Sequence, residues 1–276
     1  MHKIDSLLAE KCRTLRRREF TLGEIIKVTG LPKTTIYGYI RDIPSSPVLK
    51  EKIKRENTKR LIEFTKKRKR VVARPEGWSP KLISLVAHFM FDGEIRDNNG
   101  CVYQNRNMVL INQVRNFMKE IFKLKPINRF YPETGVHRIS YFYVDLANYI
   151  KKKSQKLKRY IKNTSLSEKK IFLRAFFDDE GSVYLWRNHR KVRGYQNSLE
   201  ILKLIQKLLN DFDIKNRIEE KGKEIVISGK ENLIKFRDQV NFSKGIFINP
   251  NRKNSIWRQK LEKREILNRA INSYKK

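Results

Sequence analysis

Two stretches of the chain run apolar and then stop on acid and glycine. "LVAHFMFDG" (residues 85–93) closes on Asp92 and Gly93, and "LRAFFDDEG" (residues 173–181) closes on Asp178, Asp179, Glu180 and Gly181. One acid beside a glycine at a helix end is ordinary surface capping. Two at equivalent places, in a chain with 63 Lys and Arg against 29 Asp and Glu, point to carboxylates that converge on one site. Converging carboxylate oxygens suit a hard divalent ion, Mg2+ or Mn2+. Such a site can activate water and stabilise the leaving oxygen of a phosphodiester. Asp92 and Glu180 are the expected catalytic and metal-binding acids. Asp178 and Asp179 leave the helix in other directions and are expected to serve its packing interface.

Nitrogen and sulfur offer no competing centre. Cys12 and Cys101 are too few for a zinc site or a disulfide framework, and His2, His88, His137 and His189 form no close pair. His88, four residues before Asp92, reads as a packed or hydrogen-bonded side chain.

The elements that must position the acids repeat. A shift of 88 residues superimposes Asp92-Gly93 on Glu180-Gly181, Asn128-Arg129 on Asn216-Arg217, and Ile139-Ser140 on Ile227-Ser228. Each copy reads as an apolar helix, a strand-rich stretch, an amphipathic helix, two short strands and a closing helix. The expectation is an α+β pseudo-dimer whose two-fold axis brings the acids together. Ala87 and Ala175 are small enough for a close helix-pair interface, and Ser228 with Glu231 has capping-box spacing for the last helix of the repeat.

Ahead of the repeat, "FTLGEIIKVTGLPKTTIYGYIRDI" predicts a small all-α helix-turn-helix domain. Leu22, Ile25, Ile26, Ile36, Tyr39 and Ile40 face inward, Gly30 turns the chain and Leu31 plugs the corner. Lys33, Thr34, Thr35, Tyr37 and Arg41 remain outward as candidate DNA contacts. The expected division is residues 1–48 for this domain, 49–75 for a basic helical linker, 76–160 and 161–250 for the two halves, and 251–276 for a basic C-terminal helix.

A formal charge of +34 makes a polyanion the natural partner, double-stranded DNA first and RNA second. No stretch is long and apolar enough to predict a membrane helix. The expectation is a cytoplasmic, nucleoid-associated monomer, not a secreted protein.

On the two nonapeptides, residues 80–248 resemble the LAGLIDADG (DOD-type) homing endonucleases in their double-motif, monomeric form. The resemblance implies two αββαββα halves whose sheets form a saddle on DNA, motif helices packed at the centre, and divalent metal held by Asp92 and Glu180. Arg174, His88 and Met90 depart from the residues usual in that motif. On the strands, polar residues alternating with apolar ones give Gln104, Arg106, Arg187, Arg190, Lys191, Arg193 and Gln196 as candidate contacts to DNA. The basic "RKNSIWRQKLEKR" (residues 252–264) is expected to extend the footprint. The implied activity is site-specific, Mg-dependent double-strand cleavage. The alternatives are a non-catalytic DNA-binding transcription regulator, since some sporulation regulators join such a domain to a helix-turn-helix, and an RNA-splicing maturase.

Overall fold

Thr21 and Glu24 cap each other where the chain first turns between helices: the Thr21 side chain accepts from the Glu24 N–H, and the Glu24 carboxylate accepts from the Thr21 N–H. They open α2 (Leu22–Thr29), which follows α1 (Lys3–Arg17) and precedes α3 (Lys33–Ile40). Gly30 ends α2 in the left-handed region at φ 69°, where a Cβ would be strained. The three helices enclose Cys12, Ile25, Ile36 and Ile40, with Leu22, Ile26, Leu31 and Tyr39 packed against them. A 22-residue helix, α4 (Pro47–Arg68), follows. Its start belongs to the same unit, because Leu49 is buried and Lys52 pairs with Glu24 at 2.8 Å. Residues 57–63 are exposed. A computed structural model describes residues 3–68, 72–251 and 256–274, and the chain divides into two units after residue 71.

The second unit holds the repeat as two α+β halves. The first comprises α5 (Pro80–Phe91), β1 (Gly93–Arg96), β2 (Gly100–Asn105), α6 (Met108–Phe122), β3 (Ile127–Tyr131), β4 (Val136–Tyr141) and α7 (Val144–Tyr160). The second comprises α8 (Leu166–Glu180), β5 (Gly181–Trp186), β6 (His189–Tyr195), α9 (Leu199–Asn210), β7 (Asn216–Glu219), β8 (Glu224–Ser228) and α10 (Lys230–Gln239), with α11 (Lys263–Asn272) beyond it. Each half has one antiparallel four-stranded sheet, ordered β1-β2-β4-β3 and β5-β6-β8-β7.

The halves are similar without being copies. Asn128 pairs with Ile139 and Asn216 with Ile227, so the 88-residue offset holds within the outer hairpins. At the motif glycines it slips. Gly93 lies opposite Tyr103 and so in line with Ile139, whereas Gly181 lies opposite Gly194 and in line with Ile225. A slip of two residues keeps every side chain on its own face, which a slip of one would not.

The motif helices α5 and α8 pack together at the centre of a continuous core. Ala87 and Ala175 are buried, and Phe91 meets the rings of Phe172 and Phe176 edge-on at 5.5 and 5.1 Å. Each fully buried ring contributes roughly 1.5–3 kcal/mol by leaving water. At the end of each motif helix the first strand turns back so tightly that a Cβ on Gly93 would lie 2.5 Å from the Phe89 Cα, and one on Gly181 would lie 2.2 Å from the Phe177 carbonyl oxygen. The motif glycine therefore serves close approach, and it fixes where the preceding acid sits.

Two expectations change. No capping box forms at Ser228 and Glu231; Gly229 is the N-cap at φ 89°, and the Asn232 amide donates to the Ser228 carbonyl instead. Nor does the C-terminal helix stand apart as a basic extension, since Ile266, Leu267, Ala270 and Ile271 of α11 are buried in the main core. Residues 252–255 of the basic stretch lie outside the described residues.

Candidate active site and nucleic-acid interface

Asp92 caps the C-terminal end of α5, and Glu180 is the last residue of α8. The pairing of those helices brings the two acids within electrostatic reach of each other. Burial, then the charges of Asp179 and Glu180, push the Asp92 carboxyl up to about 8, although Lys263 and a hydrogen bond from Asn105 oppose the rise. The Asn105 amide donates to Asp92 Oδ2 at 2.7 Å, and its own Oδ1 accepts from the Asn107 N–H at 2.9 Å, so Asp92 is held in one orientation. Like charges kept this close are costly without a cation.

Around the acid pair lies a buried polar network that connects the halves. Asp179 Oδ2 lies 2.8 Å from His88 Nδ1 on the other motif helix, and Asp179 Oδ1 accepts from the Tyr103 hydroxyl at 2.7 Å. Burial alone would depress His88, but the Asp179 charge and hydrogen bond outweigh it and hold the imidazole above its ordinary value. Asp178 accepts from both the N–H and the hydroxyl of Ser243, at 2.8 and 2.6 Å. Asp178 and Asp179 are thus engaged by protein donors, and Glu180 acts on Asp92 through its charge. His88 and Arg174, two departures from the motif, both have partners. Arg174 donates through Nε and a terminal nitrogen to the Val240 carbonyl at the end of α10.

Among the described residues, no three His, Cys, Asp or Glu side chains are grouped to hold a metal ion. The two carboxylates nonetheless suit magnesium, which is commonly bound by one or two carboxylates together with waters and substrate phosphate oxygens. The chemistry of the donor set is the fit: two carboxylates end the paired helices α5 and α8, within reach of each other's charge.

Alternation fixes the sheet faces. In the first half Gln104, Arg138 and Arg129 stand side by side across β2, β4 and β3, on the face opposite Tyr103 and Ile139. Arg193 and Arg217 share a row across β6, β8 and β7 of the second half, and Lys191 lies two residues from Arg193 on the same face. Arg96, Arg129, Arg138 and Arg217 were not among the residues expected from sequence. The strand alternation that marks Gln104 marks Arg129 and Arg138 too, once β3 and β4 are aligned with β2.

Arg190 behaves differently. It pairs with Leu185 on the core side of β6, donates to the Ser273 hydroxyl and carbonyl at 2.6 and 2.9 Å, and lies 4.6 Å from the Tyr274 ring centroid. The expectation of an outward contact is corrected: Arg190 anchors the end of α11. Arg106 donates to the Thr134 carbonyl, Gln196 accepts from the Ser198 N–H, and Arg187 occupies the β5–β6 turn at φ 51°. In the first unit Lys33, Thr34, Tyr37 and Arg41 are exposed on or just after α3, and Thr35 is half-buried.

Residues 167–241 match the family of LAGLIDADG-like domains. They span the motif helix, sheet and closing helix of the second half, and the first half repeats that topology, so the chain carries two LAGLIDADG-like halves behind N-terminal helices. Among solved structures, the homing endonuclease I-DmoI in complex with DNA and Mn is similar at 15% identity and a TM-score of 0.45, over 59% of this chain and 97% of that one. The N-terminal LAGLIDADG domain of DUF199/WhiA gives 18% and 0.47, over 62% and 87%. Full-length DUF199/WhiA from Thermatoga maritima gives 17% and 0.46, over 73% and 63%. Likeness at this level assigns no activity. No curated protein sequence matches the chain.

Proposed function

We propose that this protein is a site-specific, metal-dependent endonuclease of double-stranded DNA, with Asp92 and Glu180 as its metal-binding acids. The observation that supports the reading is that Asp92 and Glu180 end the paired helices α5 and α8, where burial, then the charges of Asp179 and Glu180, push the Asp92 carboxyl up to about 8. A bound Mg2+ or Mn2+ would supply water activation and stabilisation of the leaving oxygen. The chain supplies the rest. Asn105 orients Asp92, the His88–Asp179–Tyr103 network fixes the spacing of the motif helices, and the rows Gln104–Arg138–Arg129 and Arg193–Arg217 present donors to phosphates and base edges. The exposed residues of α3 would lengthen the footprint.

The N-terminal helical unit supports a second reading, a DNA-binding regulator that keeps the fold without cutting. One experiment separates them: selection of bound and of cleaved sites from a random DNA library in Mg2+, for wild type, Asp92→Asn and Glu180→Gln. Sites cleaved by wild type and merely bound by both variants support the nuclease. A selected site that wild type binds but never cuts in Mg2+ or Mn2+ supports the regulator.

A further inference from the structure

We propose that Lys263, on the C-terminal helix outside both repeats, is a built-in counter-cation of the Asp92–Glu180 pair, held there by the segment that follows α10. The proposal rests on the reading of those acids as the metal site and adds to it a means of setting metal affinity. Lys263 is 7% exposed. Its Nζ donates to the carbonyls of Phe177 and Asp178 at 3.2 and 2.8 Å, in the last turn of α8, where orphan carbonyls concentrate negative charge. Nζ also lies 5.2 Å from the Phe242 ring centroid. Burial holds its ammonium below the ordinary lysine range, and the charges of Asp178, Asp179, Asp92 and Glu180 oppose that fall. An ammonium buried without such compensation would be prohibitively costly.

The segment between α10 and α11 is built to deliver this charge. Ser243 clasps Asp178, as above. The Gly245 N–H donates to the Glu262 carboxylate at 2.7 Å, the Ile248 N–H to the Leu261 carbonyl at 3.0 Å, and the Lys263 N–H to the Ile246 carbonyl at 2.8 Å. These bonds hold residues 245–248 against residues 261–263, where α11 begins. The same loop reaches the other half: the Phe247 N–H donates to Asn107 Oδ1 at 2.8 Å, and the Asn107 amide returns a bond to the Phe247 carbonyl at 3.2 Å. Asn107 donates to Asn105, which donates to Asp92. One loop outside the 167–241 family match therefore reaches both acids, Asp92 through a relay of amides and Glu180 through a fixed charge. A resident positive charge lets the acids face each other before metal arrives, and it weakens metal binding because the incoming cation meets less net negative charge.

The test is Mn2+ binding to the full-length protein by titration calorimetry, together with the melting temperature with and without saturating Mn2+. It compares wild type, Asp92→Asn, Lys263→Gln and Lys263→Met. Asp92→Asn is expected to abolish the site. Both neutral variants at Lys263 are expected to bind Mn2+ at least about fivefold tighter than wild type, and to gain more melting temperature from it. A purely structural lysine would give the opposite sign. Unchanged or weaker Mn2+ affinity, or variants that stay unfolded at saturating Mn2+, would overturn the role of Lys263 alone. Mn2+ binding that survives Asp92→Asn would remove the acid pair as the metal site, and the proposed function would fall with it.

Discussion

His88 Nδ1 lies 2.8 Å from Asp179 Oδ2, with both side chains sealed from solvent, and this bond ties one motif helix to the other. Breaking a buried charged pair leaves its survivor uncompensated. His88→Leu and Asp179→Asn should each cost about 3 kcal/mol in denaturant unfolding. The double variant should cost less than the two together, by about 1 kcal/mol or more, because the partners are in contact. Simple additivity would mean that the pair is not coupled.

The raised Asp92 carboxyl makes stability depend on pH in a defined direction. Its folded value, about 8, lies above the ordinary 3.8, so the native state holds the proton more tightly than the unfolded chain. The resulting stabilisation is complete below about pH 4 and is lost as pH rises through about 8. Asp92→Asn removes this penalty. Without metal, at pH 9, it should be more stable than wild type by on the order of 2 kcal/mol, with little difference near pH 4. Melting curves across that range provide the check, and a constant difference would contradict the raised value.

The same proton couples to metal. Mn2+ binding should tighten as pH rises toward about 8 and release close to one proton per ion near neutrality, because a ligand must be deprotonated to bind. Calorimetry in two buffers of different ionisation enthalpy measures that release. Binding without proton release would separate the ion from Asp92.

The sheet faces predict which arginines touch DNA. Arg129→Ala and Arg138→Ala, in one row of the first sheet, should each weaken binding and reduce the salt slope of log K by about 1. Arg190→Ala should leave the salt slope unchanged and lower the melting temperature instead, since it loses its bonds to Ser273. Titrations of one selected site at several salt concentrations distinguish the two classes.

Much of this was legible in the sequence because it depends on local spacing. The acid-glycine ends at a common offset mark Asp92 and Glu180, and Gly30 marks the turn into α3, since both follow from where a Cβ or a helix can go. What depends on strand register was not legible. Arg190 belongs to an alternating strand, and alternation alone does not say that Leu185 and Arg190 share the core face. The two-residue slip at the second motif leaves the 88-residue offset intact within the outer hairpins, so no offset in sequence reveals it. Lys263 is the clearest loss. In a chain with 63 basic residues nothing local marks one lysine as buried, and only the pairing of residues 245–248 with 261–263 carries it to the end of α8.

We propose above that Asp92 and Glu180 form one metal-dependent cleavage centre. Its most direct measurement is single-turnover cutting of a selected duplex in Mg2+ at saturating protein, by wild type, Asp92→Asn and Glu180→Gln. Wild type should cut both strands, and each variant should bind the duplex with similar affinity but cut at least ~100-fold more slowly. Wild-type binding without cutting, or cutting that survives loss of either acid, would contradict it.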